Sequence, residues 1–178
     1  MARAQLRKFI VGFKLLGAVL IIASTSIYGY YLSLIPAKRY KNLVKILSGI
    51  EILENEITFS KDTIDEIFIK IATLIECDCI FRTVTQRNKG ECLFKGWKRA
   101  VFQDKEKLCL KASDCEVISM LGAELGITDV QGQIKNILHI KELLKKQIEE
   151  SLDEKKRTSR LYKSMGVALG VFAAVLLM

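Results

Sequence analysis

The chain has 178 residues, 28 Lys and Arg against 20 Asp and Glu, a formal charge of +8, half its residues apolar and a single proline. One domain of ordinary size fits that length. With 27% charged residues, a mean hydropathy of +0.22 requires apolar and charged residues to be segregated, which argues against a wholly soluble protein.

Residues 1–14 form a basic tail carrying Arg3, Arg7, Lys8 and Lys14. The charge-free stretch 15–35 follows; as a helix it extends about 31 Å, close to the roughly 30 Å of a hydrocarbon core, so a first transmembrane helix is predicted there. Tyr28, Tyr30 and Tyr31 suit an interface, Pro36 is expected to stop the helix, and Lys38, Arg39 and Lys41 form its basic flank. The alternative is a signal peptide cleaved among Ala23 to Ser26, leaving a secreted or externally anchored small helical protein.

From Lys41 onward, Leu43, Val44, Leu47, Ile50, Leu53 and Ile57 recur at three- and four-residue steps, which sets them on one helix face. Thr63 and Glu66 have capping-box spacing ahead of Ile64, Ile67, Phe68, Ile71, Leu74 and Ile75, predicting a second helix folded back as an antiparallel hairpin. Residues 76–112 read as short helices, with Asn88 to Gly90 as a turn and Phe94, Trp97, Val101 and Phe102 as an apolar cluster. A second box, Ser113 with Glu116, opens a helix from Val117 to Leu125 that Gly126 closes.

Thr128 to Gln131 opens the longest element. Ile134, Leu138, Leu144, Ile148 and Leu152 form its apolar stripe, and Lys145 with Glu149, Lys146 with Glu150 and Asp153 with Arg157 are spaced for ion pairs. Nothing breaks it before the second charge-free run, 164–178, so it is predicted to continue into a second transmembrane helix. That run is shorter than the roughly 20 residues usual for a span, yet it lacks the polar face of an interfacial helix. Gly166, Gly170 and Ala174 recur every four residues, a seam of small residues against which a helix such as the one carrying Gly17 can pack.

The predicted fold is all-α, a bundle of about five to six helices over 36–163 flanked by two transmembrane helices, 15–35 and 164–178. Eight Lys and Arg flank the spans on the bundle side and four on the side of the termini. The positive-inside rule therefore places the bundle in the cytoplasm and both termini across the membrane. The tail's four basic residues leave 24 basic and 20 acidic residues in the bundle segment. That mixture excludes a dedicated nucleic-acid surface, while the basic flanks suit anionic lipid headgroups.

Five cysteines, Cys77, Cys79, Cys92, Cys109 and Cys115, offer one Cys-x-Cys and three scattered residues. That spacing is neither a paired zinc-ligand pattern nor an even-numbered disulfide framework; they read as small hydrophobes in helix packing. His139, the only histidine, has apolar neighbours and no nucleophile and carboxylate to pair with, and reads as packed or interfacial. Leu121 to Gly126 lacks the Lys-Ser/Thr ending of a phosphate loop. No catalytic residue, metal or cofactor is predicted.

Five segments occur in an order that resembles a known family: Phe-Lys-Leu-Leu-Gly-Ala-Val-Leu-Ile-Ile-Ala from Phe13, Leu-Glu-Asn-Glu-Ile from Leu53, Gly-Trp-Lys-Arg-Ala from Gly96, Leu-Gly-Ala-Glu-Leu-Gly-Ile-Thr-Asp from Leu121, and Ser-Met-Gly-Val-Ala-Leu-Gly from Ser164. Together they resemble the stage III sporulation protein AB family of endospore-forming Firmicutes. The basic residues before Phe13 and the stretch from Cys77 to Cys92 depart from the family pattern. The resemblance implies a non-enzymatic platform component of a secretion-like channel, lying in the mother-cell membrane around the forespore. It also implies a cytoplasmic bundle similar to those of type II secretion platform proteins, with the other channel subunits, membrane lipid and a mother-cell ATPase as partners. Carried over to this sequence, the contact elements or bundle core are Leu53, Glu54, Glu56 and Ile57, then Trp97, then Leu121, Gly122, Leu125, Gly126 and Asp129.

Overall fold

Pro36 does not end a helix: it lies inside α1 (Ala2–Phe59). The proline has no N–H to donate to the Leu32 carbonyl, and its ring crowds that turn, a cost of about 3 kcal/mol in a helix interior. Continuation is favoured by the burial of Pro36 itself and by the next turns, whose Leu43, Ile46, Ile50 and Leu53 are fully buried. In the turn before the proline, the Ser33 hydroxyl donates to the Tyr30 carbonyl at 2.7 Å. The computed structural model describes the chain except residues 1, 61, 76–79, 88–89, 124 and 178, with side chains mainly within 23–157.

Five more helices follow: α2 (Ile64–Leu74), α3 (Ile80–Thr85), α4 (Leu93–Gln103), α5 (Ala112–Met120) and α6 (Val130–Leu177), with a 3₁₀ turn at Leu121–Ala123. No strand occurs among the described residues, so the all-α prediction holds. The chain divides into two compact units, Lys38–Leu152 and Met1–Ala37 with Asp153–Met178. The first boundary falls directly after the turn that holds Pro36.

In the Lys38–Leu152 unit, α2 packs on α3, α3 on α4, and α4 on α5 and the 3₁₀ turn. The Thr63 cap is built as predicted: its hydroxyl accepts from Glu66 N, and the Glu66 carboxylate accepts from Thr63 N at 2.8 Å. Glu56 meets Lys70 at 2.6 Å, tying α2 back against α1. At the centre Phe68 stacks on Trp97 with ring centroids 5.4 Å apart, and Phe81 meets both rings at 5.9 and 5.5 Å. Gly49 lets this cluster close, since a Cβ there would stand 2.5 Å from the Phe81 ring.

Several predicted faces are turned by about one residue. In α1 the buried row is Leu43, Ile46, Ile50 and Leu53, with Val44 and Leu47 only half-buried; in α6 it is Ile137, Ile140 and Leu144, with Leu138 exposed. In α2, Ala72 is buried and Leu74 exposed. Where apolar residues are dense, three- and four-residue steps permit two adjacent frames, and tertiary packing selects between them. α5 begins before the predicted Ser113 cap, because the Asp114 carboxylate accepts from Lys111 N at 2.8 Å and so fixes the first turn earlier. It ends at Met120 and passes through the 3₁₀ turn before Gly126, whose φ of +75° reverses the chain. Asp129 caps α6 by accepting from Gly132 N at 3.1 Å. Asp153 pairs with Lys156 at 3.9 Å, one residue short of the predicted Arg157.

The other unit is helical, formed by the first part of α1 and the last part of α6. Along α1, Val19, Leu20, Ile27, Tyr28, Tyr30 and Tyr31 are between 55% and 70% exposed. Among the described residues no helix is long and apolar enough to cross a membrane. The predicted spans 15–35 and 164–178 lie in α1 and α6, and many of their side chains, together with Gly166, Gly170 and Ala174, lie outside the described residues. A Cβ at Gly17 would meet nothing within 4 Å.

Candidate functional site

The residues carried over from the resemblance divide sharply by position. Leu53, Trp97 and Leu121 are fully buried and Leu125 nearly so, while Gly122 lies under the indole, where a Cβ would stand 2.8 Å from Trp97 Cδ1. Trp97 Nε1 donates to the Ile118 carbonyl at 2.7 Å. These five residues lie in or against the core, on α1, on α4 and in the segment before α6, and present little surface. Glu54 and Glu56 are half-buried and engaged, Glu54 by Lys141 at 2.6 Å and Glu56 by Lys70. Ile57 packs against the core, and Gly126 and Asp129 are exposed at the turn into α6. There Gln133 accepts from Gly126 N at 3.3 Å and donates to the Thr128 carbonyl at 2.8 Å.

A charged centre escaped the sequence reading. Arg39, expected as a membrane flank, and Asp114, expected inside a capping segment, are 3% and 0% exposed and pair through two hydrogen bonds of 2.8 Å. The guanidinium also donates to Gln147 Oε1 at 3.3 Å, so α1, α5 and α6 meet on one buried fork. Each Asp114 oxygen receives Arg39, and one also receives Lys111 N. That full satisfaction is what a buried pair requires. Nothing local to either residue marks the pair, whose partners are 75 residues apart.

The cluster expected from Phe94, Trp97, Val101 and Phe102 is also split. Trp97 and Val101 are buried, whereas Phe94 and Phe102 are 36% and 46% exposed. They line an open groove of about 550 Å³ between α4 and α5, with Lys98, Glu116, Ser119 and Met120, to which α6 adds Asn136. The signal was present: Leu93, Phe94, Trp97, Ala100, Val101 and Phe102 cover more of the helix circumference than one buried face can use.

Of the cysteines, Cys115 is buried, Cys109 half-buried and Cys92 exposed; Cys77 and Cys79 lie outside the described residues. Burial pushes the Cys115 thiol above its ordinary range. His139 is exposed on α6, so of the packed and interfacial positions expected of it the packed one is not taken; its apolar neighbours Leu138 and Ile140 flank it, but only Ile140 turns into the core. Among the described residues no three His, Cys, Asp or Glu side chains converge as metal ligands.

Comparison with known proteins agrees with this helical framework. The family profile for stage III sporulation protein AB matches residues 14–178. The chain belongs to the stage III sporulation protein AB family. Stage III sporulation protein AB of Bacillus subtilis (strain 168) is 27% identical over 169 residues, which cover 93% of this chain and 99% of that one. A solved structure of a stage III sporulation protein AB superposes with a TM-score of 0.61 at 19% identity, covering 67% of this chain and 98% of the other. That likeness carries the fold. Membership makes the chain a sporulation protein, and the match takes in all the helices from α2 to α6 and most of α1.

Proposed function

We propose that this sporulation protein is a non-enzymatic membrane platform component of a channel between mother cell and forespore. It is anchored by residues 15–35 and 164–178, and its helical domain, in the cytoplasm, docks a partner ATPase. The observation that carries the anchoring is the run of large exposed apolar and tyrosine side chains on α1 between Val19 and Tyr31. Water-facing surfaces rarely hold such a concentration, and membrane contact accounts for it. The domain's core is complete without these residues, since Leu43 to Leu144 supply it. The ATPase and the neighbouring channel subunits follow from the family resemblance, as does the mother-cell membrane around the forespore. The seam at Gly166, Gly170 and Ala174, with Gly17, is the surface offered to other spans.

Thiol accessibility in the plasma membrane of vegetative cells tests the topology. Cys92 is the right reporter because it is exposed, whereas buried Cys115 is shielded whichever side it occupies. A chain keeping only Cys92 is expected to resist an impermeant maleimide until the cells are permeabilised. A chain whose sole cysteine is Met178→Cys is expected to label at once. Labelling of Cys92 in intact cells would reverse the topology, and release of the chain by alkaline carbonate would remove the anchors.

A further inference from the structure

The groove between α4 and α5 has no assigned role. We propose that it receives an amphipathic helix of a partner protein, with apolar residues one turn apart and acidic residues along the edge that meets α4. This rests on reading the domain as a docking platform, and it names the surface and the chemistry of the contact.

The banks of the groove have helical dimensions. Phe94, Lys98 and Phe102 are four residues apart on α4, so the two phenylalanines are about 12 Å apart along the helix axis, a little over two turns. Met120, 46% exposed, faces them from α5. An apolar trough of that length between two helices is the shape into which an amphipathic helix lays its anchors. The floor carries a second, independent sign of a missing partner. Ser119 is 7% exposed, and its Oγ, lining the groove, has no hydrogen-bond partner. A hydroxyl left unpaired at that depth is costly and is satisfied by a polar side chain arriving with the occupant.

Charge selects the occupant. The exposed face of α4 carries Lys95, Lys98 and Arg99 and no acid. Arg99 is held by Glu91 at 2.9 Å, while Lys95 and Lys98 have no ion pair among the described residues. Acidic residues beside the apolar anchors complement that bank, and a hydrogen-bond donor meets Glu116 on the other. A second copy of this chain fits poorly. On α6 its exposed Val130 and Leu138 stand beside the mixed charges of Lys135 and Glu142, and on α2 its Ile69 and Leu74 are five positions apart and diverge around the helix. The acids near them are already engaged, Asp65 by Arg87, Glu66 in the cap and Glu56 by Lys70.

The test places the photo-crosslinker p-benzoylphenylalanine at position 102 of the full chain in sporulating cells, with position 59, another exposed phenylalanine, as control. The expected result is an adduct, absent from position 59, whose mapped peptide is an acid-flanked amphipathic helix. Lys98→Glu is expected to abolish the adduct, and an acid-to-lysine change at the mapped residue to restore it in the Lys98→Glu background. That reciprocal rescue excludes misfolding as the cause of the loss. An adduct with lipid, with a second copy of this chain or with a segment lacking acids overturns the proposal, as does no adduct or one indifferent to Lys98→Glu. Co-purification of the ATPase from the same cells separates the two readings. With the ATPase retained and no adduct, the groove proposal falls and the platform stands; with the adduct mapped as expected and no ATPase bound, the reverse holds.

Discussion

At the scale of single residues, Arg39 and Asp114 link three helices through one buried ion pair. Removing one partner leaves an uncompensated charge, a loss of about 3–5 kcal/mol, whereas replacing both by apolar residues of similar volume is often neutral or stabilising. Arg39→Met is therefore expected to lower the melting temperature of the detergent-solubilised chain sharply, and Arg39→Met with Asp114→Leu to recover most of it. Gly122→Ala forces a methyl against the Trp97 indole, and overpacking of this kind costs about 1–3 kcal/mol. Its signature is a lower melting temperature together with a shift in Trp97 fluorescence. Cys115 supplies a pH dependence. Its raised thiol pKa comes first from burial, opposed by Lys105, so the folded state keeps the proton beyond the ordinary thiol range. The stability this confers is complete below the unfolded thiol's pKa and is lost as pH rises through the raised value. Alkylation of Cys115 by iodoacetamide is expected to be roughly tenfold or more slower than that of Cys92 near neutral pH, and to accelerate only under alkaline conditions; equal rates would contradict the burial.

At the scale of elements, α1 combines a proline with uninterrupted helix. Pro36→Ala restores a backbone donor to the Leu32 carbonyl and removes the ring's crowding, so it is expected to raise the melting temperature, by up to the roughly 3 kcal/mol that an interior proline costs. A lower melting temperature would show that the surroundings are built around the ring. Local signals were the most legible in the sequence. The Thr63 and Glu66 cap depends on residues three positions apart and is built; Gly126 takes a left-handed conformation, but α5 has already ended at Met120, and α6 is capped by Asp129, one residue beyond the expected Thr128. What escaped depends on distant partners. Ile46 rather than Val44 or Leu47, and Ile137 with Ile140 rather than Leu138, are chosen by what packs opposite, which periodicity within one helix does not contain. Apolar type alone groups Phe94 and Phe102 in one cluster with Trp97 and Val101, although the second apolar face of α4 is a sign of a surface left for something else. The Pro36 stop fails because a helix rule of local cost is outweighed by the burial of the proline itself and of the turns that follow it.

At the scale of the whole molecule, the division of labour falls at Lys38 and Leu152. Among the described residues every fully buried large side chain of the core lies between those limits, from Leu43 to Leu144, as do the Arg39 and Asp114 pair and the aromatic cluster. A segment that contains its whole core and satisfies its buried charges has what autonomous folding requires. Residues 38–152 expressed alone are therefore expected to be soluble and strongly helical by circular dichroism and to unfold in one cooperative transition, with Trp97 fluorescence and helicity changing together. The same fragment is expected to leave sporulation defective, because the apolar stretch from Val19 to Tyr31 and the end of α6 are missing from it. Non-coincident transitions would show that the core depends on residues outside 38–152. Normal sporulation with the fragment as the only copy would show that the domain works without its anchors, and would leave the exposed apolar run on α1 needing another explanation.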